Sequence, residues 1–289
     1  MLYARAAAVV LLAFATSACG GGDMTGPSPV GPPASTAAIH YSAIGASDAN
    51  GVGSSVPCFL STTCDDGMGY VPVLVRQLRA TRQVTLLNLG LPAAVLGPAT
   101  EAIARQIGRE VSGNFVDDTM RFVTRESTLV TVVGGTNDAN IIGDAIEQGR
   151  AGTDIPGYID TQARAFGADY TRLIAGIRSR APGSFIIVVN VPNAAAMPFA
   201  TRYPLEHRRV LQTIAVALSR ESNRQAGPGV AVLDVMCNPT TYASTHFAAD
   251  GFHPNDAGHA EIARQLKAIV DGGASPAPAA SCSMMTSVR

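Results

Sequence analysis

Short apolar runs alternate along the chain with longer segments of helical periodicity. The apolar runs predict buried strands at 38–45, 83–89, 128–134, 184–191 and 230–235. Apolar residues at three- and four-residue intervals predict helices near 69–81, 98–109, 139–150, 157–180, 204–225 and 256–270. This alternation predicts a three-layer α/β/α fold, a flavodoxin-like, doubly wound parallel sheet of about five strands with helices on both faces. We expect it to form one domain over residues 37–272.

The chain begins with a segment typical of export. Arg5 precedes an apolar stretch that is too short to span a bilayer, and small residues lead to Cys19. Residues 1–19 therefore indicate a signal peptide that resembles the bacterial lipoprotein type, in which Cys19 is lipidated. The resemblance implies a protein anchored to a bacterial membrane and facing the periplasm or exterior. An ordinary signal peptide, giving a secreted soluble protein, is the alternative.

Two further segments are too rich in small residues and proline to form a core. Residues 20–36 contain a run of glycines and several prolines, which predicts a flexible tether. Residues 273–289 are rich in Pro, Ala and Ser, and we expect them to be disordered.

Composition narrows the range of functions. Apolar residues make up 47% of the chain and charged residues 15%, which is sufficient for a large core. A net charge of −1 argues against nucleic-acid binding, which requires a basic surface. The sequence has no phosphate-binding glycine loop and no CxxC zinc pair, so we expect no cofactor and no metal. We expect a monomer.

Polar residues that can perform nucleophilic chemistry lie next to three of the predicted elements. Ser47 comes directly after strand 38–45, where parallel sheets present ligands, and Asn137 follows strand 128–134. Asp250 lies three residues before His253, in a turn that leads into helix 256–270. A carboxylate so placed can orient an imidazole that acts as a general base, and an amide can stabilise a developing oxyanion.

These residues belong to four ordered sequence blocks, which are Gly45-Ala46-Ser47-Asp48, Asn88 to Ala93, Gly135-Thr136-Asn137-Asp138 and Asp250-Gly251-Phe252-His253-Pro254. The set resembles the SGNH hydrolases, also called GDSL-type esterases and lipases. The resemblance implies that Ser47 is the nucleophile, His253 its general base and Asp250 the residue that orients His253. It also implies an oxyanion hole built from the backbone N–H of Ser47, a backbone N–H of the second block and the Asn137 side chain.

The chain departs from the family pattern at two positions. The usual Gly-Asp-Ser-Leu is here Gly-Ala-Ser-Asp, so the acid follows Ser47 instead of preceding it. In the second block, Ala93 stands where the family usually has its oxyanion glycine, and Gly90 is an alternative donor. An alanine serves as well as a glycine if φ is negative, whereas a positive φ would strain it.

Cysteines and histidines add further expectations. Export permits disulfides among Cys58, Cys64, Cys237 and Cys282. A local Cys58–Cys64 bridge is favoured, which would leave Cys237 and Cys282 to tie the tail to the last strand, although sequence does not choose among the three pairings. We expect His259 to be exposed on the last helix and His246 to be structural.

Three functional classes are consistent with these observations. The first is a serine ester hydrolase outside the cytoplasm that acts on short acyl or acetyl esters of lipids, glycans or small molecules. The second is an acyltransferase on the same scaffold, and the third is a non-catalytic surface-binding module. The presence of Ser47, Asp250, His253 and Asn137 together argues against the third class.

Overall fold

A computed structural model describes residues 31–59, 64–272 and 276–289. Its strands are β1 (Ile39–Gly45), β2 (Val84–Gly90), β3 (Leu129–Val133), β4 (Phe185–Val189) and β5 (Val230–Leu233). Its helices are α1 (Tyr70–Arg79), α2 (Pro98–Gln106), α3 (Thr136–Glu147), α4 (Ile155–Arg180), α5 (Leu205–Asn223) and α6 (Asp256–Gly272).

The strands form one parallel sheet in the order β2-β1-β3-β4-β5. Every residue of β3 and β4 is buried, as expected for central parallel strands covered on both faces. One apolar core lies between the sheet and helices α1 and α6, and the other lies between the sheet and helices α2 to α5. The predicted α/β/α fold and its five strands are confirmed.

The connections of this sheet determine where chemistry can occur. Order β2-β1-β3 means that the chain leaves β1 toward one edge of the sheet and later returns to the other side of β1. Ligands of open parallel sheets bind at the carboxyl ends of strands at such a switch point. The loops after β1, β2 and β3 therefore lie side by side, and the loop before α6 completes the group.

The prediction of a disordered tail is wrong for residues 276–289. Met285 and Val288 are buried, and the backbone of Val288 forms two hydrogen bonds with the side chain of Gln212 on α5. Cys282 is bonded to Cys237, which follows β5. The Pro/Ala/Ser-rich composition gave no sign of this packing because two apolar anchors and one disulfide are enough to hold the segment.

The amino-terminal predictions fall largely outside the described residues. The signal peptide at 1–19 and the tether as far as residue 30 are not described. Residues 31–36 contain no helix or strand, and the carbonyl of Ser35 accepts a hydrogen bond from Arg82. Within the described ranges, no helix is both long enough and apolar enough to cross a membrane.

Candidate active site

The candidate nucleophile lies at the end of β1, in a turn that depends on close packing. A Cβ on Gly45 would come within 2.8 Å of the Ala49 side chain, so the tight entry into the turn at Ser47 requires glycine. Ser47 begins a short 3-10 turn, and its carbonyl accepts a hydrogen bond from the backbone of Val52. The hydroxyl is therefore presented from a fixed backbone.

Ser47, His253 and Asp250 form one continuous chain of hydrogen bonds. The Ser47 hydroxyl lies 2.9 Å from His253 Nε2, and His253 Nδ1 lies 2.6 Å from Asp250 Oδ2. Since an ionised carboxylate only accepts hydrogen bonds, Nδ1 carries the proton and Nε2 is left to accept the proton of the serine. The structure thus joins residues that are 206 positions apart in the sequence into the geometry of nucleophile, base and orienting acid.

The turn from Asp250 to His253 is held by the same carboxylate that orients the imidazole. Asp250 Oδ1 accepts hydrogen bonds from the backbone N–H groups of Phe252 and His253, at 2.9 and 3.0 Å. Gly251 lies between Asp250 and Phe252 with φ +69°, a conformation that glycine adopts without strain. Partial burial opposes ionisation of Asp250, but the hydrogen bonds from His253 and from the two backbone groups outweigh it and lower its pKa.

Asn137 lines the same small cleft as the nucleophile. We use the term nucleophile cleft for the hollow lined by Ala46, Ser47, Asp48, Gly134, Gly135, Thr136, Asn137 and Phe252. The N-cap position of α3 is Gly135, and Asn137 lies inside the helix. Its amide donates to the carbonyl of Ala94 at 2.9 Å, which leaves the second amide hydrogen for a ligand. Because Gly135 holds the N-cap position, the Asn137 side chain does not cap α3.

The second block, with the residue that follows it, is hydrogen-bonded to the end of β1 and to Asn137 on α3. Leu91 donates its backbone N–H to the carbonyl of Gly45, and Asn137 holds the carbonyl of Ala94. Between them Ala93 has φ +61°, which makes it the one non-glycine residue with positive φ in the described ranges. Because alanine at such a φ costs about 1–2 kcal/mol, the conformation is a strained feature of the kind that occurs at functional sites.

Gly90 does not serve as the alternative oxyanion donor. Its N–H already donates to Oδ1 of Asn88 at 3.1 Å, and it is paired with Gly45 as the last residue of β2. A Cβ at Gly90 would meet the Asn50 side chain at 2.7 Å, so close packing explains this glycine. The structure thus leaves Ala93 as the donor to be tested.

Asp138 holds the loop that continues from the second block, and this role was not identified from the sequence. Its carboxylate is fully buried and accepts the backbone N–H of Leu96 at 3.2 Å through both oxygens. Burial raises the pKa of Asp138 to about 6, although hydrogen bonds from Thr100 and Leu96 act in the opposite direction. Asn137 and Asp138 together fix the loop that carries Ala93. The only sign of this role in the sequence is that Asp138 directly follows Asn137.

His259 contradicts the prediction that it is exposed. It is fully buried, and its Nδ1 accepts the backbone N–H of Tyr70 at 3.2 Å. Its Nε2 donates to the carbonyl of Val52 at 3.1 Å, the residue whose own N–H binds the Ser47 carbonyl. Burial lowers the pKa of His259, which favours the neutral ring that these two bonds require. The imidazole therefore ties α6 to the start of α1 and to the nucleophile turn.

The remaining candidate residues occupy supporting positions. His246 Nδ1 lies 2.9 Å from the carbonyl of Thr240, within the loop before α6. Cys58 is bonded to Cys64, and the second disulfide secures the tail as described above. Cys19 lies outside the described residues. Across the described chain, no group of three or more His, Cys, Asp and Glu side chains is placed to bind a metal ion.

Known proteins share the sequence pattern and the fold described above. The sequence model of the GDSL-like lipase/acylhydrolase family matches residues 43–261. No curated protein sequence matches the chain significantly.

Solved structures with a similar fold include a lipase from a goat rumen metagenome, with 18% identity and a TM-score of 0.54 over 80% of this chain and 96% of that one. An extracellular lipase from Streptomyces rimosus has 18% identity and a TM-score of 0.52 over 80% of this chain and 99% of that one. An acetyl xylan esterase from Geobacillus stearothermophilus has 15% identity and a TM-score of 0.50 over 84% of this chain and 99% of that one. At these identities the likeness concerns the fold.

Proposed function

Because the chain belongs to the GDSL-like lipase/acylhydrolase family, we propose that it hydrolyses carboxylic esters through an acyl-enzyme on Ser47. The observation that carries the proposal is the hydrogen-bond chain from Ser47 Oγ through both nitrogens of His253 to Asp250, with Asn137 in the same cleft. A hydroxyl so placed is activated when the imidazole accepts its proton.

The reaction follows from the positions of these groups. Ser47 Oγ forms a bond to the ester carbonyl carbon while its proton passes to His253 Nε2, and Asp250 stabilises the imidazolium. The carbonyl oxygen becomes an oxyanion that accepts hydrogen bonds from the amide of Asn137 and the backbone N–H groups of Ser47 and Ala93. Collapse of this intermediate breaks the bond to the alcohol, which leaves with the proton from His253. A water molecule then releases the acid by the same steps.

A small acyl group suits the space above the nucleophile. The nucleophile cleft encloses a volume of about 10 Å³, close to the requirement of a single water molecule. We infer a substrate with an acetyl or other short acyl group, whose alcohol extends to solvent. The fold shared with an acetyl xylan esterase is consistent with such a substrate.

A reagent that reacts with activated serines tests the mechanism directly. A fluorophosphonate should modify Ser47 alone, as located by mass spectrometry of the digested protein, and should stop hydrolysis of p-nitrophenyl acetate in proportion to its incorporation. Hydrolysis that continues after complete modification would exclude an acyl-enzyme on Ser47. If an acyl-enzyme forms but is released only after an alcohol is added, the protein is an acyltransferase.

We further propose that the enzyme acts outside the cytoplasm, anchored through a lipid on Cys19. The two disulfides support export, since such bonds persist in oxidising compartments. The apolar run before Cys19 and the small residues next to it support lipidation.

Replacing Cys19 tests this anchor. The full-length protein expressed in a bacterium should enter the detergent phase on phase separation, and Cys19→Ala should move it to the aqueous phase. Ser17→Ala, which alters the same segment but keeps the cysteine, is the matched control and should behave as the unmodified protein. If the unmodified protein stays in the aqueous phase, an ordinary signal peptide is the better explanation.

A further inference from the structure

A second hollow adjoins the nucleophile cleft. This apolar cavity has a volume of about 90 Å³ and shares Asp48, Gly134, Thr136 and Phe252 with the cleft. Its volume is several times the 10–15 Å³ that one water molecule requires. The two hollows therefore meet beside Ser47.

The wall of the apolar cavity comes from the sheet edge and from one face of α6. Val133, Val189 and Val235 line it at the ends of β3 and β4 and just after β5. On the other side, residues of α6 recur at three- and four-residue intervals and so lie on one helical face, namely Gly258, Glu261, Ile262 and Gln265. Gly258 allows this close packing, because a Cβ there would lie 2.3 Å from the carbonyl oxygen of His246.

The polar lining of the cavity is concentrated around Glu261. Gln265 Nε2 donates to Glu261 Oε1 at 2.8 Å, and the Thr240 hydroxyl donates to the same oxygen at 3.3 Å. Gln265 Oε1 and the Thr241 hydroxyl oxygen are buried and have no hydrogen-bond partner among the described residues. An apolar chain that reached these atoms would offer them no hydrogen bond and would therefore gain little there. The cavity therefore suits a chain of limited length.

Phe252 stands where the two hollows meet. Its ring packs edge-on against His253, with centroids 4.9 Å apart, and against Phe199, with centroids 5.0 Å apart. Its backbone is fixed because its N–H binds Asp250. A change at this side chain therefore alters the passage between the hollows while the backbone of the catalytic turn stays anchored.

We propose that the apolar cavity receives the acyl chain of the ester and that Phe252 sets the accepted chain length. This proposal rests on the proposed function, because the acyl carbon must be bonded to Ser47. Asp48, the next residue in the chain, and Phe252 line both hollows, so an acyl chain on Ser47 would enter the cavity past the Phe252 ring. Acetyl groups remain in the nucleophile cleft, whereas longer chains bury their methylenes among the valines.

The test measures kcat/KM for p-nitrophenyl octanoate relative to p-nitrophenyl acetate. We expect Phe252→Ala to raise this ratio about tenfold, or about 1.4 kcal/mol, which burial of roughly two further methylene groups would supply. Adding Ile262→Phe, which adds bulk to the α6 side of the cavity, should reverse the increase. Phe122→Ala makes the same substitution at an exposed phenylalanine and should leave the ratio unchanged. The ratio corrects for any general loss of rate caused by the contact of Phe252 with His253.

A binding measurement separates failure of this proposal from failure of the proposed function. Octanoate should bind Ser47→Ala protein in calorimetry, and Ile262→Phe in that background should weaken its binding at least tenfold. Octanoate binding that responds to Ile262→Phe in a protein without esterase activity would keep the cavity assignment and reject the function. A different result would overturn the cavity assignment alone. In that case the protein is an active esterase, but the ratio stays within twofold in Phe252→Ala and in the milder Phe252→Leu, and Ile262→Phe does not change octanoate binding.

Discussion

Replacing Ser47 by alanine should lower kcat for p-nitrophenyl acetate by about 10⁴–10⁶-fold, which leaves only the residual catalysis that substrate binding and the oxyanion hole supply. The hydroxyl is the group that bonds to the acyl carbon, and it lies 2.9 Å from His253 Nε2, the atom that accepts its proton. The side chain is partly exposed and its one described side-chain partner is His253, so the melting temperature should change little.

Ser54→Ala provides the matched control for this substitution. Ser54 belongs to the same loop, but its hydroxyl donates to the backbone carbonyl of Gly51 at 2.7 Å and is not directed at His253. We expect near-normal turnover in this variant. Turnover by Ser47→Ala comparable to that of Ser54→Ala, in preparations with the same melting temperature, would show that the nucleophile is a different group.

The strands and the triad could be predicted because their signals are local. Each strand is a short segment rich in apolar residues, since both faces of a parallel sheet are covered. The catalytic turn contains its acid and its base within four residues, and the nucleophile directly follows β1. The topology of the sheet then brings the ends of β1 and β3 to one edge, which is why motifs far apart in sequence could be assigned to one site.

The features that sequence analysis missed depend on contacts between distant segments. His259 looked like an exposed helical residue, but its partners Tyr70 and Val52 lie 189 and 207 positions away. The tail was assigned to disorder because its sequence is rich in Pro, Ala and Ser, and the burial of Met285 and Val288 against α5 is visible only in the folded structure. The apolar cavity is likewise formed by segments that lie far apart in the sequence, none of which has a pattern of its own.

The choice between Ala93 and Gly90 illustrates the same limit. From the sequence we could say that an alanine donor is unstrained only if its φ is negative. The value of φ at Ala93 could not be obtained from the sequence. The structure gives Ala93 a positive φ of 61° and uses the N–H of Gly90 within β2. Strain at Ala93 is maintained by the bonds from Asn137 and Asp138 to the same loop. These bonds connect the second and third sequence blocks in a way that neither block reveals alone.

Replacing Asn137 by alanine should lower kcat by about 10²–10³-fold while KM changes little, because the amide acts on an oxyanion that exists only in the transition state and intermediate. The variant also loses the hydrogen bond to the Ala94 carbonyl, so unfolding should become easier by about 0.5–1.5 kcal/mol. Such a loss would leave nearly all molecules folded at 25 °C in a protein of ordinary stability. The drop in kcat must therefore come from the site itself and would be measured on folded protein.

Asn140→Ala separates this catalytic effect from an effect on the helix. Asn140 lies on α3 three residues further on, outside the nucleophile cleft, so the same substitution there should leave kcat near normal. A loss of stability in Asn137→Ala accompanied by near-normal kcat would mean that the amide serves only to hold Ala94. A kcat reduced 10²-fold or more in Asn137→Ala but not in Asn140→Ala would instead assign it to the oxyanion. We expect the second result, because the Asn137 side chain lies beside Ser47 and has one amide hydrogen that is not used by Ala94.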